Sequence, residues 1–139
     1  MMRSLTIPSQ AVPKGRPRFT RDGHVYTPVR TLAWEEEVGW LWKAKYPGMY
    51  PFTGPVALVL LFRGELPGDL DNYQKAAEDG LNGLAWNDDR QVKLCVSSMR
   101  AGTDCVLIKV VELKDEVRDS VLAAAFGGEY DSPMQEVWD

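Results

Sequence analysis

Seven consecutive apolar residues, Val56-Ala57-Leu58-Val59-Leu60-Leu61-Phe62, stand between Pro55 and Arg63. The run is too short to cross a bilayer, and a short apolar run bounded by proline and a polar turn reads as a buried strand, Pro55 to Arg63. Gly64 to Gly68 is the turn. From Asp71 to Leu84 the period changes to that of a helix. Tyr73, Ala76, Ala77, Gly80, Leu81 and Leu84 form one apolar stripe, and Asp71, Lys75, Glu78, Asp79 and Asn82 fall on the opposite side.

The remaining segments fall into place around this strand and helix. Arg3 to Pro8 reads as a short strand. The prolines of Pro13-Lys-Gly-Arg-Pro-Arg18 exclude a helix or a central strand there. Asp22-Gly23 between β-prone residues signals a hairpin over Phe19 to Tyr26. Thr31 to Tyr46 is predicted helical, with Thr31 as cap, Glu35, Glu36 and Glu37 in its N-terminal half, and Leu32, Val38, Leu41 and Trp42 as apolar face. Trp86-Asn-Asp-Asp89 is a turn. Gln91 to Met99 and Cys105 to Leu113 are strands, expected to pair as an antiparallel hairpin through residues 101–104. Lys114 to Phe126 is predicted as a weak helix, and Gly127 onward as a mobile or partner-dependent tail. The expected fold is a single α+β domain: a mixed sheet of about four strands with helices packed on one face. The expected division is an endonuclease-like unit over 1–114, with a basic loop at 13–30, and an acidic tail over 115–139.

A net charge of −4 argues at first against nucleic acid, but the charge is unevenly spread. Residues 1–30 carry +5 and residues 112–139 carry −6. A polyanion responds to the field within about 10 Å at moderate salt, not to the total. Lys14, Arg16, Arg18, Arg21 and Arg30 are therefore the expected phosphate contacts, arginine forks being suited to bidentate binding. Solvated charge on a surface loop is the plainer alternative. Cys95 and Cys105 lack zinc spacing and are expected to be reduced thiols of a cytoplasmic protein with no secretory leader and no membrane partner.

The chemistry concentrates in Asp69-Leu-Asp-Asn-Tyr-Gln-Lys75. In extended chain before a helix, side chains at i and i+2 point the same way, which would let Asp69 and Asp71 converge. Two carboxylates with water suit a hard cation such as Mg2+. Lys75 lies one turn beyond Asp71, placed to offset carboxylate repulsion or meet a phosphoryl oxygen. Asp89, opening the next strand, can return beside them. The bland alternative makes Asp69 a helix cap and Asp88-Asp89 a turn. His24, the chain's one histidine, lies in the hairpin and reads as a surface residue. Trp34, Trp40, Trp42 and Trp86 can stack on opened bases, but core packing is the reading preferred, with a dimer interface also open for Trp34 or Trp40.

The central block, Asp69-Leu-Asp-Asn-Tyr-Gln-Lys75, Asp79-Gly-Leu-Asn-Gly83 and Trp86-Asn-Asp-Asp-Arg-Gln-Val92, resembles the RusA family of Holliday junction resolvases. Pro13-Lys-Gly-Arg-Pro-Arg-Phe19 resembles the basic loop of one branch of it. The likeness spans roughly residues 5 to 112, and the acidic stretch from Glu112 has no counterpart in it. The resemblance implies metal-binding aspartates at Asp69, Asp71 and Asp89, a catalytic lysine at Lys75, and a supporting role for Asp88. It also implies Mg2+ dependence with Mn2+ as substitute, a homodimer, and paired nicks in four-way junctions leaving 5′-phosphate and 3′-hydroxyl ends, in a bacterial cell, host- or phage-encoded. Two other readings stand beside it. One is a non-catalytic branched-DNA-binding or packaging factor, which would gain nothing from carboxylates facing phosphate. The other is a metal–nucleotide transferase, which would leave the basic loop unexplained.

Overall fold

A computed structural model describes residues 1–15, 18–26 and 28–127, with Arg18 and Tyr26 as backbone alone. Arg16 and the tail from 128 lie outside the described residues, together with the roles expected of them. The chain runs β1 (Met2–Ile7), β2 (Arg18–Phe19), β3 (Val25–Tyr26), α1 (Val29–Lys45), β4 (Val56–Arg63), α2 (Leu70–Leu81), a single 3-10 turn (Asp89–Gln91), β5 (Val92–Arg100), β6 (Cys105–Glu112) and α3 (Asp115–Phe126). The expected α+β class and mixed sheet hold: the four-stranded sheet has the order β1-β6-β4-β5, and β2 and β3 form the small hairpin.

The apolar run becomes β4, the strand bonded on both edges, parallel to β5 and antiparallel to β6. Parallel neighbours require a crossover, and α2 supplies it. The expected β5–β6 hairpin does not form, because β4 lies between the two strands. Residues 101–104 arch over the end of β4 instead. Two strand spacings are about 10 Å, within the reach of about 13 Å that four extended residues have. The arch is pinned to the strand it crosses: Arg63 Nε donates to the Thr103 carbonyl at 3.1 Å and Gly64 N to the Arg100 carbonyl at 2.9 Å. Gly102 is in the left-handed half of backbone space, and a Cβ there would lie 2.9 Å from Arg63 Cδ. Hydrophobic patterning marks strands but is blind to which edge each one takes, and that ambiguity produced the error.

One sheet face is covered. Leu5, Ile7, Leu58, Leu60, Phe62, Val106, Ile108 and Val110 pack there with Trp34, Val38 and Trp42 of α1 and Tyr73, Ala76, Ala77 and Leu81 of α2 in a single buried cluster. Thr31 is not the cap of α1: Pro28 takes the N-cap position without a side-chain bond. Thr31 is buried one turn inside, where its hydroxyl accepts from Gly15 N and donates to the Pro13 carbonyl. Leu32 is exposed rather than on the apolar face, and the inward positions fall to Trp34, Val38, Gly39 and Trp42. Trp86 is also fully buried, whereas Trp40 is exposed. At the far end of α1 the Tyr46 hydroxyl accepts from Ser4 N at 2.7 Å and donates to the Ser4 carbonyl at 3.0 Å, tying the helix to β1. Helix α2 is shorter than expected, ending at Leu81 with Asn82 as C-cap.

The two helices meet through glycines. A Cβ on Gly80 would sit 3.0 Å from Val38 Cβ and 3.2 Å from the Glu35 carbonyl oxygen, and one on Gly39 3.2 Å from Leu84 Cδ1. Val38 is stiff and fully buried, so it has little room to give. Gly80→Ala is expected to lower unfolding free energy by about 1 kcal/mol, the overpacking strain exceeding a helix-propensity gain of similar size. Denaturant titration checks it, and a stabilised variant would mean that the helices are not in close contact here.

Candidate active site

The loop before α2 is fixed from within the core. Tyr73 is buried, and its hydroxyl accepts from Gly68 N at 3.1 Å. Asp69 then takes the N-cap position of α2 in extended backbone, but its side chain makes no cap hydrogen bond. The bland explanation for this aspartate is therefore not the one observed. Its backbone carbonyl accepts from Asn72 N and Tyr73 N, and the exposed carboxylate is left over. Asp71 is exposed in the first turn. Because the helix already begins at Leu70, the strand-like i, i+2 alignment expected for Asp69 and Asp71 does not apply: helical residues rotate by about 100° each.

Asp89 reaches the same helix from the other side. It lies in the 3-10 turn rather than in a strand. Asp88 caps that turn, accepting from Arg90 N at 2.8 Å, while the Gln91 side chain returns to Asp88 N. Asp88 thus has the structural role that Asp69 lacks. The buried Trp86 indole donates to Asp89 Oδ1 at 2.9 Å, orienting the carboxylate and leaving Oδ2 3.7 Å from Lys75 Nζ. Lys75 pairs more closely with Asp79, at 3.1 Å, than with Asp89, and not with Asp71. The structure therefore brings Lys75 and Asp89 together, with Asp69 and Asp71 at the entry of the same helix.

The profile of the family described as endodeoxyribonuclease RusA matches residues 8–111. The chain belongs to the RusA endodeoxyribonuclease family. The resemblance carried by the central block is borne out, and this RusA-family protein is an endodeoxyribonuclease, a hydrolase of DNA phosphodiester bonds. Comparison with individual curated proteins gives no match. No helix among the described residues is long and apolar enough to cross a membrane. Cys95 and Cys105 are unbridged.

A hard cation takes carboxylate oxygens and water, the donor type that Asp69, Asp71 and Asp89 offer. Among the described residues no three His, Cys, Asp or Glu side chains stand close enough together to hold a metal ion. Mg2+ keeps several waters and also takes substrate phosphate oxygens, so its carboxylates need not be drawn together before it binds. The donor chemistry fits.

The basic segment divides. Lys14 points inward, 2.8 Å from both Glu35 Oε1 and Asp79 Oδ2. Arg21 and Arg30 are exposed. The side chain of Arg18, like Arg16, lies outside the described residues. Arg3, one of the cations of residues 1–30, is buried over the Phe52 ring at 4.2 Å with a guanidinium hydrogen bond to the Tyr50 carbonyl, so it adds little to the surface field.

Glu78 is a member of this region that sequence reading assigned only to the polar side of α2. Burial, and then the negative charge of Asp89, push its carboxyl above the usual range. A raised folded-state pKa makes ionisation costly in the folded protein alone. The penalty is absent below the ordinary glutamate range, grows as pH rises, and is complete above the folded value. Glu78→Gln is thus expected to stabilise the metal-free protein at pH 7–8 and to match wild type near pH 3–4. Unfolding midpoints across pH check it, and equal stability at pH 8 would remove the strain assigned to Glu78.

Proposed function

We propose that the protein is a divalent-metal-dependent resolvase of four-way DNA junctions, in which Asp69, Asp71 and Asp89 hold the cation and Lys75 acts on the scissile phosphate. The observation that carries this is the meeting of Asp89 and Lys75 across two chain segments, on a helix whose N-cap aspartate makes no side-chain cap hydrogen bond. When bound, the cation supplies Lewis acidity at the phosphate and a water of lowered pKa. The chain's own residues do the rest. Trp86 holds Asp89 in one orientation. Lys75, whose ammonium is kept above its usual pKa range chiefly by its hydrogen bond to Asp79, stays charged and meets negative charge as it builds on the phosphate. Exposed Arg21 and Arg30, together with Arg16 and Arg18, bind flanking phosphates. Mn2+ replaces Mg2+ at the same oxygen donors. A packaging or binding factor without catalysis has no use for an Asp69 that neither caps its helix nor pairs with a cation among the described residues, and this keeps it the weaker reading.

The substrate asks for two cuts in strands of like polarity, and one chain has one such centre. A two-fold homodimer supplies two. The sheet face opposite the helices supports this reading: Val59, Val96 and Leu107 are exposed there, with Val59 paired to Val96 and Leu61 to Leu107 in adjoining register.

On a synthetic four-way junction, Asp71→Asn is expected to abolish Mg2+-dependent cleavage while leaving binding equal or tighter. Lys75→Ala is expected to slow single-turnover cleavage by about 10²–10³-fold with little loss of affinity. Wild-type cleavage by Asp71→Asn would refute the metal assignment. On a supercoiled cruciform plasmid, wild type mixed with excess Asp71→Asn subunits is expected to give nicked circles where wild type alone gives linear product. A sedimenting monomer that still makes both cuts would defeat the dimer.

A further inference from the structure

Asp79 lies in the last turn of α2 with both carboxylate oxygens engaged: Oδ1 is 3.1 Å from Lys75 Nζ, and Oδ2 is 2.8 Å from Lys14 Nζ. Nothing in the economy of the helix itself explains an aspartate here. Near a C-terminus the macrodipole opposes negative charge, α2 has no basic residue in its last turn, and lysine four residues before an acid is the less favourable order of an i, i+4 pair. Burial raises the Asp79 carboxyl, yet hydrogen bonds from Lys14 and Lys75 overcome this and hold it below the usual range, so the group is an anion shared by two ammoniums.

Lys14 completes the arrangement from outside α2. Its ammonium also meets Glu35 of α1 at 2.8 Å, and its backbone N–H donates to the Asn72 carbonyl at 2.8 Å. The neighbouring Pro13 and Gly15 are bonded to Thr31. Its side chain is 24% exposed, against 52% for Lys75. To bind phosphate, Lys14 would first have to leave two charge-assisted hydrogen bonds, each stronger than a neutral one. Lys75, by contrast, is a long, half-exposed chain whose other carboxylate within 4 Å is Asp89, at 3.7 Å. Without Asp79 its ammonium is free to wander or to collapse onto Asp89.

We propose that Asp79 is a positioning residue for Lys75, and that Lys14 serves cleavage by holding Asp79 rather than by contacting DNA phosphate. The proposal rests on the role given to Lys75 above. It separates Lys14 from the other cations of the basic segment: it is a strut between that segment and the helix carrying the cleavage lysine.

The test combines single-turnover cleavage of a synthetic four-way junction in Mg2+ at saturating protein with junction affinity measured against salt. Asp79→Asn is expected to slow cleavage about ten- to a hundredfold, the size of one charge-assisted bond lost at the transition state, at unchanged affinity. Asp79→Glu is expected to recover part of the rate. Lys14→Met is expected to slow cleavage while leaving the slope of log affinity on log salt at its wild-type value, whereas a lost phosphate contact would reduce the slope by about one. The double variant Lys75→Ala/Asp79→Asn is expected to cleave no more slowly than Lys75→Ala. Asp79→Asn at the wild-type rate, a flattened salt slope in Lys14→Met, or a double variant slower than Lys75→Ala by the full Asp79→Asn factor each overturns the proposal. Lys75→Ala at the wild-type rate would instead remove the role of Lys75, and this proposal with it; absence of junction cleavage by the wild type would remove the resolvase reading itself. Unfolding midpoints accompany every variant. If Asp79→Asn does not fold, Lys14→Met with and without Lys75→Ala carries the same cycle.

Discussion

Strand β4 is hydrogen-bonded along both edges, and the two halves of the candidate site are placed relative to it. Its parallel neighbour β5 can be reached only by a crossover, and that crossover is α2. The chain leaves β4, runs along α2 and returns through the 3-10 turn into β5. Asp69 thus falls at the start of the helix, and Asp89 arrives alongside its middle. The buried side chains of Trp86 and Tyr73 fix both passages, one by donating to Asp89 and the other by holding Gly68 just before Asp69. A centre built this way depends on the sheet for position and on the core for orientation.

The glycine contacts between α1 and α2 bring a second set of charges into range. Because Gly39 and Gly80 let the backbones approach, Glu35 of α1 and Asp79 of α2 lie close enough for one ammonium to bridge them. A row of alternating charge follows: Glu35, Lys14, Asp79, Lys75, Asp89. Its members are partly exposed, so each pair contributes little to stability on its own. What the row does is direction-setting. It turns Lys14 away from solvent and Lys75 towards Asp89 of the 3-10 turn, and leaves outward-facing positive charge at Arg21 and Arg30.

Much of this was legible in the sequence because the signals are local. The apolar run, the helical stripe from Tyr73 to Leu81 and the Asp-Gly turn are set by nearest neighbours along the chain, and each appears where the residues predicted it. The family was legible for a different reason: the run of acids and lysine from Asp69 to Asp89 is itself distinctive, and the match over residues 8–111 bears out the family. The errors share a cause. Thr31 has cap chemistry, but its hydroxyl found a better partner in the incoming loop; Leu32 has the right hydrophobicity but the wrong angle on α1; and β5 and β6, adjacent in sequence, are parted by β4.

The sequence by itself determined the element types, the α+β class and the set of carboxylates and cations available for chemistry, since propensity and period act over a few residues. Tertiary structure alone decided which of those charged groups meet. Nothing in the spacing says that Lys14 turns inward to Glu35 and Asp79, that Lys75 prefers Asp79 to Asp71, or that Asp88 caps while Asp69 does not. Each of those outcomes follows from the distance between groups on different elements, and such distances are set by strand order and helix packing, to which a local pattern is insensitive.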